Sequence, residues 1–506
     1  MRRERKGQGS VAVLIVPLSP SAMTSRLLTF FLLLCAGAPA VVHAAEAEAA
    51  PARPNVVIFY ADDQGYADLG VQGAVGFRTP NIDRMAMEGR RFTDFYVAAP
   101  VCSASRAALL TGCYPIRVGI TGALPPHSQT GLNPEEMTLA EVLKTRRYST
   151  AALGKWHLGD HPDLLPVRQG FDEYLGLPYS NDMWPDNPDI GNRRWPPLPL
   201  IENDRILDPA VNADTQASLT TRYAERAVDF IRRKKDQPFF LYIAPAMPHV
   251  PLYASDKFKG KSAQGAYGDV IEEIDWAVGQ VLTTLKEQGL DDKTLVIYTS
   301  DNGPWTVYGN HAGGAAPLRE AKGTCWEGGI RVPFVARWPG KIPAGTICRE
   351  PVCTIDILPT LARLSGAALP SKKIDGLDIL PLLTGEPGAK SPHEALFFHY
   401  ENNQLQALRS GPWKLILPHQ YRVVSQFGKD GARGAYVQKK AGTELYNLVN
   451  DPSETRDLAT AEPATVARLL ALAEQSRNDL GDTLTRSGPG PGTRPAAQVT
   501  WLEKEK

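Results

Sequence analysis

Two stretches of the chain are apolar at nearly every position and break off at an acid: residues 55–61 (NVVIFYA) run into Asp62, Asp63 and a glycine turn, and residues 294–300 (TLVIYTS) into Asp301, Asn302 and a glycine. A third, PFFLYIAPAMPHVP, ends at His249 between prolines. Apolar runs without alternation predict strands covered on both faces, as in a parallel sheet. The strand YSTAALGKWH carries Lys155 and His157 two residues apart, so an extended backbone points both to the same side. Between these runs, apolar spacing of three and four predicts helices over 80–89, 102–112, 139–147, 222–235, 268–289 and 355–365, the first opened by Pro80. Strands alternating with helices predict an α/β fold with a large, mostly parallel sheet flanked by helices. Ligands of such sheets bind beyond the carboxyl ends of the strands, where the acids and His249 emerge.

Past residue 390 the pattern changes. HEALFFHY, QALRSGPWKLIL and TELYNLVNDPSETRDLA read as short strands with turns, followed by a helix over 463–478. This predicts a catalytic domain over 54–390 and a smaller antiparallel-sheet subdomain over 391–485. The Gly/Pro-rich tail, 486–506, is expected to be disordered. Residues 166–199, rich in Pro, Asn and Trp and without a period, read as a long functional loop. At the other end, Arg26, the run LLTFFLLLCAGAPAVV and the small-residue site ending at Ala44 read as a signal peptide over 1–44, with Met23 as an alternative start, followed by a linker over 45–53. Leu34 is bulky where a lipid-attachment motif at Cys35 wants a small residue, so anchoring there is disfavoured. The mature chain is expected to be exported (periplasmic, secreted or lumenal), since no later segment reaches the ~20 apolar residues of a membrane span.

Composition narrows the partners. Fifty-five basic residues balance fifty-five acidic ones in 506 residues, so no global field selects nucleic acid or an anionic membrane, and anion binding must be local. Six cysteines are too few for a disulfide scaffold. With Cys35 in the leader and Cys102 set apart, an oxidising compartment permits bridges among Cys113, Cys325, Cys348 and Cys353, and the last two are near enough to close a small loop.

The chemistry concentrates in few places. Adjacent carboxylates repel unless a cation neutralises them, and Asp62, Asp63, Asp301 and Asn302 offer only oxygen donors, a set suited to Ca2+, with Mg2+ second, and unlike a zinc site. In CSASRAALLTG (102–112) a thiol sits at a helix start, where backbone N–H groups favour an anion, and Arg106 lies one turn on. Taken alone, that stretch fits a buried structural cysteine equally well. A histidine held between prolines, His249, suits a general acid.

CSASRAALLTG resembles the signature CxPSRxxLLTG of the type I sulfatases, with Ala104 where proline is usual. GKWHLG, the serine of GLPYSND, the PxxPH context of His249 and AKGTCWEGGIRVP resemble further segments of arylsulfatase A-like members, and together they cover most of residues 54–460. The resemblance implies an alkaline-phosphatase-like fold and a sulfuric ester hydrolase acting on an aryl sulfate or sulfated carbohydrate. In it Cys102 is oxidised to formylglycine by a maturing enzyme and hydrated to a diol. Residue 102 joins Asp62, Asp63, Asp301 and Asn302 around one Ca2+. Lys155, Lys322 and Ser180 hold sulfate, Arg106 steadies the diol, His249 protonates the leaving alcohol and His157 serves as base. Asn181, Asp182 and Trp184 are candidates for substrate contacts, and Glu327 and Arg331 for architectural support. Two other readings stand beside this one: a phosphonate or phosphate monoester hydrolase of the same superfamily, and an unconverted protein that binds sulfate esters without turnover.

Overall fold

The apolar runs divide residue by residue between two cores. In Asn55–Ala61, Val56, Ile58 and Tyr60 enter one and Val57, Phe59 and Ala61 the other; Phe239–Ala244 and Thr294–Ser300 split the same way. Side chains of an extended strand alternate between faces, so a strand with no polar position must be covered on both sides. This computed structural model describes residues 53–189, 194–485 and 488–501. The expected signal peptide, its Cys35, the alternative start at Met23 and the linker up to residue 52 lie outside the described residues.

The main sheet has ten strands in the order Thr346–Cys348, Arg90–Phe92, Phe334–Arg337, Thr294–Ser300, Asn55–Ala61, Phe239–Ala244, Ser149–Gly154, Glu173–Gly176, Leu200–Glu202 and Arg205–Asp208. The five from Thr294–Ser300 to Glu173–Gly176 are mutually parallel, and antiparallel strands flank them on both sides. Helices Pro80–Met87, Ala213–Lys234 and Ala266–Glu287 cover one face. Cys102–Thr111, Leu139–Lys144 and Ile357–Ser365 cover the other. The helix expected over 222–235 begins earlier, at Ala213, because Asn212 accepts from the Thr215 amide as an N-cap.

The C-terminal sheet is antiparallel: Leu396–Tyr400, Gln404–Ser410, Trp413–Ile416 and Glu444–Asn447. It too is covered twice, since Ala407, Ile416 and Tyr446 face the main core whereas Leu408, Leu415 and Leu445 pack with Leu469 and Leu472 of the helix Pro463–Leu480. A hairpin of His419–Gln426 and Ala435–Ala441, not expected from the sequence, leaves this sheet.

The tail differs from its expectation. Residues 488–501 are laid against the main body: Ala497–Gln498 pairs with Thr130–Gly131, and Arg494 forms a two-pronged ion pair with the buried Glu136, both contacts 2.7 Å. Trp501 sits against His127 and His161 with ring centroids 4.9 and 5.0 Å away. A low-apolar segment is ordered here by charge pairing and strand addition rather than by a core of its own. The cysteines also differ: Cys102, Cys113, Cys325, Cys348 and Cys353 are all free and buried, and Cys348 and Cys353 lie in strands of two different sheets.

Candidate active site

Asp62 directly follows the strand Asn55–Ala61, and Asp63 turns the chain with φ of 64°. That left-handed conformation is one aspartate tolerates better than most residues. Asp301 and Asn302 leave the adjacent parallel strand at the same edge, and the Asp63 amide donates to Asp301 Oδ1 at 3.1 Å. Gly303, the next residue, approaches the EGG segment so closely that a Cβ there would meet Gly328 O at 1.8 Å. The glycines of both loops thus serve backbone approach.

Lys155 follows Ser149–Gly154, but the extended segment expected to carry both Lys155 and His157 ends at Gly154, and His157 has φ of 59°. A turn, not strand alternation, brings the histidine in. His249 likewise lies in a loop past Phe239–Ala244, not at the strand's end. Cys102 is the first residue of Cys102–Thr111, a helix buried along its whole length, so Arg106 one turn on is fully buried as well.

These groups meet in one charged cluster. Arg106 Nη2 lies 2.7 Å from Asp301 and 3.4 Å from Asp62, while Nη1 donates to Lys155 O at 3.0 Å. Lys155 Nζ contacts Asp62 Oδ2 at 2.5 Å and donates to Ser180 Oγ at 3.0 Å. Lys322 Nζ reaches both oxygens of Asp63, at 2.6 and 2.8 Å. Three carboxylates therefore face three cations. Burial would raise Asp62, but Lys155, His249, Arg106 and Lys322 outweigh it and hold its carboxyl below the usual range. Asp301 is pushed the other way, up to about 7, by burial and then by the Asp62 charge, against Arg106. Burial also raises the Cys102 thiol despite Lys155 and Lys322, which disfavours a thiolate nucleophile.

The donor set fits a hard cation. Asp62 Oδ1 and Asn302 Oδ1 are buried acceptors without a hydrogen-bond partner. Asn302 Nδ2 donates to Asp63 Oδ1 at 2.7 Å and to Gly303 O at 2.9 Å, which fixes the amide so that Oδ1 is its free oxygen. Ligand atoms of Asp62, Asp63 and His249 lie within 4.8 Å of one another. A cation at this edge would also relieve the repulsion that raises Asp301.

The two histidines are held in opposite tautomers. His157 Nε2 is 2.9 Å from Leu124 O and His249 Nδ1 is 2.6 Å from Val250 O. A carbonyl only accepts, so each of those nitrogens carries the proton. His157 keeps Nδ1 unshared, buried and unpartnered. Burial, then Lys155 and Arg106, lowers His157 well below the ordinary histidine range, so it is neutral. His249 Nε2 faces Asp63 Oδ2 at 3.6 Å.

Other expected residues fall elsewhere. Asn181 is buried and donates to Gln216 Oε1 and Pro251 O, both at 3.2 Å. Trp184 is buried edge-on to Tyr253, 6.3 Å between centroids, and the Asp182 carbonyl accepts from Asn187 at 2.6 Å. These contacts hold the loop together. Glu327 and Arg331 belong to a second buried ionic cluster: Lys414 Nζ bridges Glu327 at 2.9 Å and Glu454 at 2.8 Å, and Arg331 pairs with Glu327 and Asp94. Trp305 was not foreseen, although it lies four residues past Asp301 in the same loop. Its ring centroid is 5.3 Å from that of His249, and Lys322 Nζ stands 4.4 Å over it. Tyr400, from the C-terminal sheet, packs against the apolar cluster of Ala99, Val101, Cys102 and Ala104 and was missed too.

Comparison with known proteins agrees with this geometry. A family model described as Sulfatase matches residues 54–367, and one described as N-sulphoglucosamine sulphohydrolase, C-terminal, matches residues 321–475. The chain is 40% identical to arylsulfatase A of Homo sapiens, over 92% of this chain and 96% of that one. It is 39% identical to N-acetylgalactosamine-6-sulfatase of Canis lupus familiaris, covering 73% and 72%. Among solved structures, the PsFucS1 sulfatase from Pseudoalteromonas sp. superposes with a TM-score of 0.76 at 29% identity, over 84% of this chain and 90% of that one. The alkaline-phosphatase-like architecture expected from the motifs is therefore the one present, and the chain belongs to the type I sulfatases, arylsulfatase A-like enzymes that hydrolyse sulfate esters.

Proposed function

We propose that this sulfatase uses a formylglycine derived from Cys102, together with one hard divalent cation, Ca2+ before Mg2+, to release inorganic sulfate from an aryl sulfate or sulfated carbohydrate. The observation that carries the reading is the convergence of Arg106, Lys155, Lys322 and the unpartnered oxygens Asp62 Oδ1 and Asn302 Oδ1 around the start of the Cys102 helix. Asp62, Asp63, Asp301 and Asn302 would hold the cation, with residue 102 beside them. When bound, it supplies Lewis-acid polarisation of a sulfate oxygen. The hydrated aldehyde supplies two hydroxyls, one to attack sulfur and one whose deprotonation expels sulfate.

The remaining work falls to this chain's side chains. Lys155, Lys322 and Ser180 hold sulfate oxygens and stabilise charge that grows during transfer. Arg106, anchored by Asp301 and the Lys155 carbonyl, orients residue 102. His157, neutral with Nδ1 unshared, has the form of a base. His249, whose Nδ1–H is held by the Val250 carbonyl, serves as acid in its doubly protonated form, the second proton sitting on Nε2 and passing to the leaving oxygen. A leader over residues 1–44, as the sequence suggests, would make this an exported enzyme; no helix of the described residues is long and apolar enough to cross a membrane.

The test is co-expression with a sulfatase-maturing enzyme, mass analysis of the peptide holding residue 102, and sulfate release from 4-nitrophenyl sulfate beside phosphate release from the matching phosphate ester. Conversion of Cys102 with faster sulfate release is expected. Full activity from a protein whose Cys102 remains a thiol would overturn the reading, and faster phosphate release would favour a phosphoester hydrolase.

A further inference from the structure

The hairpin absent from the sequence reading reaches the mouth of the active site. Trp305 flanks His249, and its indole Nε1 donates to Tyr436 Oη at 3.0 Å, which joins the site to the strand Ala435–Ala441. Arg433, at the hairpin's turn, places its guanidinium carbon 5.7 Å from the Trp305 ring centroid and 5.4 Å from that of Tyr436. Arg422 stands over the same tyrosine at 4.9 Å and donates to Lys322 O at 3.0 Å. Two hairpin cations thus extend the positive charge of Lys322 outward on the His249 side.

This wall is built rigidly. Val307 O accepts from the amides of Gly428 and Gly434, at 2.8 and 3.0 Å, pinning both ends of the turn. Asn310 and Asp430 exchange two hydrogen bonds, at 2.9 and 2.8 Å. A Cβ at Gly309 would meet Gly428 O at 2.0 Å, so the two loops touch backbone to backbone. Two nearby acids are engaged elsewhere, Asp189 by Tyr308 at 2.6 Å and Asp430 by Asn310 at 2.9 Å. Among the described residues Arg433 is half-buried and has no ion-pair partner within 4.0 Å. A guanidinium held by aromatic faces and left without a carboxylate is prepared for an anion from outside.

We infer that Arg433, framed by Trp305 and Tyr436, forms a leaving-group subsite that binds a second anionic group, a carboxylate or another sulfate, on the sugar carrying the scissile ester. The inference rests on sulfate ester hydrolysis at the Cys102 centre with His249 on the leaving-group side. It assigns the enzyme a substrate preference for polyanionic carbohydrate, set by the C-terminal hairpin.

The experiment compares kcat/KM on 4-nitrophenyl sulfate, a monosulfated monosaccharide with no second charged group, and a disulfated disaccharide for the wild type, Arg433→Ala and Arg433→Glu. Arg433→Ala should lose about 10-fold or more on the disulfated sugar, the effect of one charge-assisted contact, while the other two substrates change less than about twofold. Arg433→Glu should lose more than Arg433→Ala on the disulfated sugar alone, an ordering that a merely structural role would not produce. Equal losses on all three substrates, or none on the disulfated sugar, overturn the inference. Wild-type hydrolysis of 4-nitrophenyl sulfate reports the proposed function separately. Calorimetric titration of the unconverted protein with the anionic sugar lacking the transferable sulfate reads the subsite without turnover: weaker binding by Arg433→Ala supports it and unchanged binding overturns it.

Discussion

Arg106 shows why a single side chain in this site carries both stability and chemistry. It is wholly buried between Asp301 and Asp62, and their charges raise its pKa against the opposing effect of burial. Removing it strands Asp301 in a dry site and leaves Asp62 to Lys155. Arg106→Ala should destabilise the fold by about 3–5 kcal/mol, the usual consequence of breaking a buried pair, and lower kcat by about 100-fold or more with a smaller change in KM. Urea denaturation and steady-state kinetics read the two effects, and an unchanged kcat would make Arg106 purely structural. Cys102→Ser offers one hydroxyl where the proposed diol has two. It should give no steady turnover, and intact mass should find the protein either unaltered or sulfated; sustained sulfate release from this variant would refute the diol.

Among the elements, the C-terminal tail over residues 488–501 acts as a strap across the main body. Its Gly492 carbonyl accepts from Arg117 at 2.8 Å, its Arg494 pairs with Glu136, and its strand holds Thr130–Gly131 at the end of the loop whose Leu124 carbonyl fixes the His157 tautomer. The Leu124 amide also donates to Ser103 Oγ, next to Cys102 in the chain, at 3.1 Å. Arg494→Ala should lower stability by about 2 kcal/mol. Truncation after residue 487 should do at least that and also reduce kcat by loosening His157. Denaturant midpoints and kinetics of the two variants would show it, and a truncated enzyme of unchanged stability and kcat would mean the strap is dispensable.

Across the whole molecule, the C-terminal sheet is joined to the catalytic body by buried charge. Lys414, on that sheet, lies between Glu327 and Glu454. Burial, reinforced by Glu327, raises Glu454 to about 7. For Glu327 burial is outweighed by Lys414 and Arg331, and its carboxyl falls to about 2. A raised carboxyl binds its proton more tightly in the folded state, so the Glu454 contribution is full below 4.5 and lost as pH rises through about 7. A depressed one acts oppositely: the Glu327 contribution is present above 4.5 and lost as pH falls toward about 2. Through Glu454 the melting temperature should therefore decline as pH rises from 4.5 to about 7, and Glu454→Gln, which keeps an acceptor for the Glu327 amide, should reduce that decline to the share that Asp301, likewise raised to about 7, contributes. An equal slope in the variant would place the pH dependence elsewhere. Removal of the proposed cation is a second molecule-wide test: a chelator should abolish sulfate release and lower the melting temperature, and Ca2+ should restore both where Zn2+ does not.

How much of this was legible in the chain follows from the range of the interactions. The strands ending in Asp62 and Asp301, the helix beginning at Cys102 and the alternation of strands with helices are local patterns, because a strand buried on both faces leaves no polar position and a strand end leaves its side chains free. Motif resemblance added Ser180 and Lys322, which no periodicity would single out. The opposite histidine tautomers were not legible, since they depend on which carbonyl each ring meets, Leu124 or Val250, far or near in sequence. Nor were the hairpin that brings Arg433 to Trp305 and the strap that holds residues 124–131, because their own segments are polar and short of apolar periodicity. Their order comes from partners more than a hundred residues away, as with Trp305 and Tyr436 or Arg494 and Glu136. The kind of chemistry was therefore written in short runs of sequence, whereas the protonation of each group and the wall facing the leaving group depend on long-range contacts that exist only once the chain has folded.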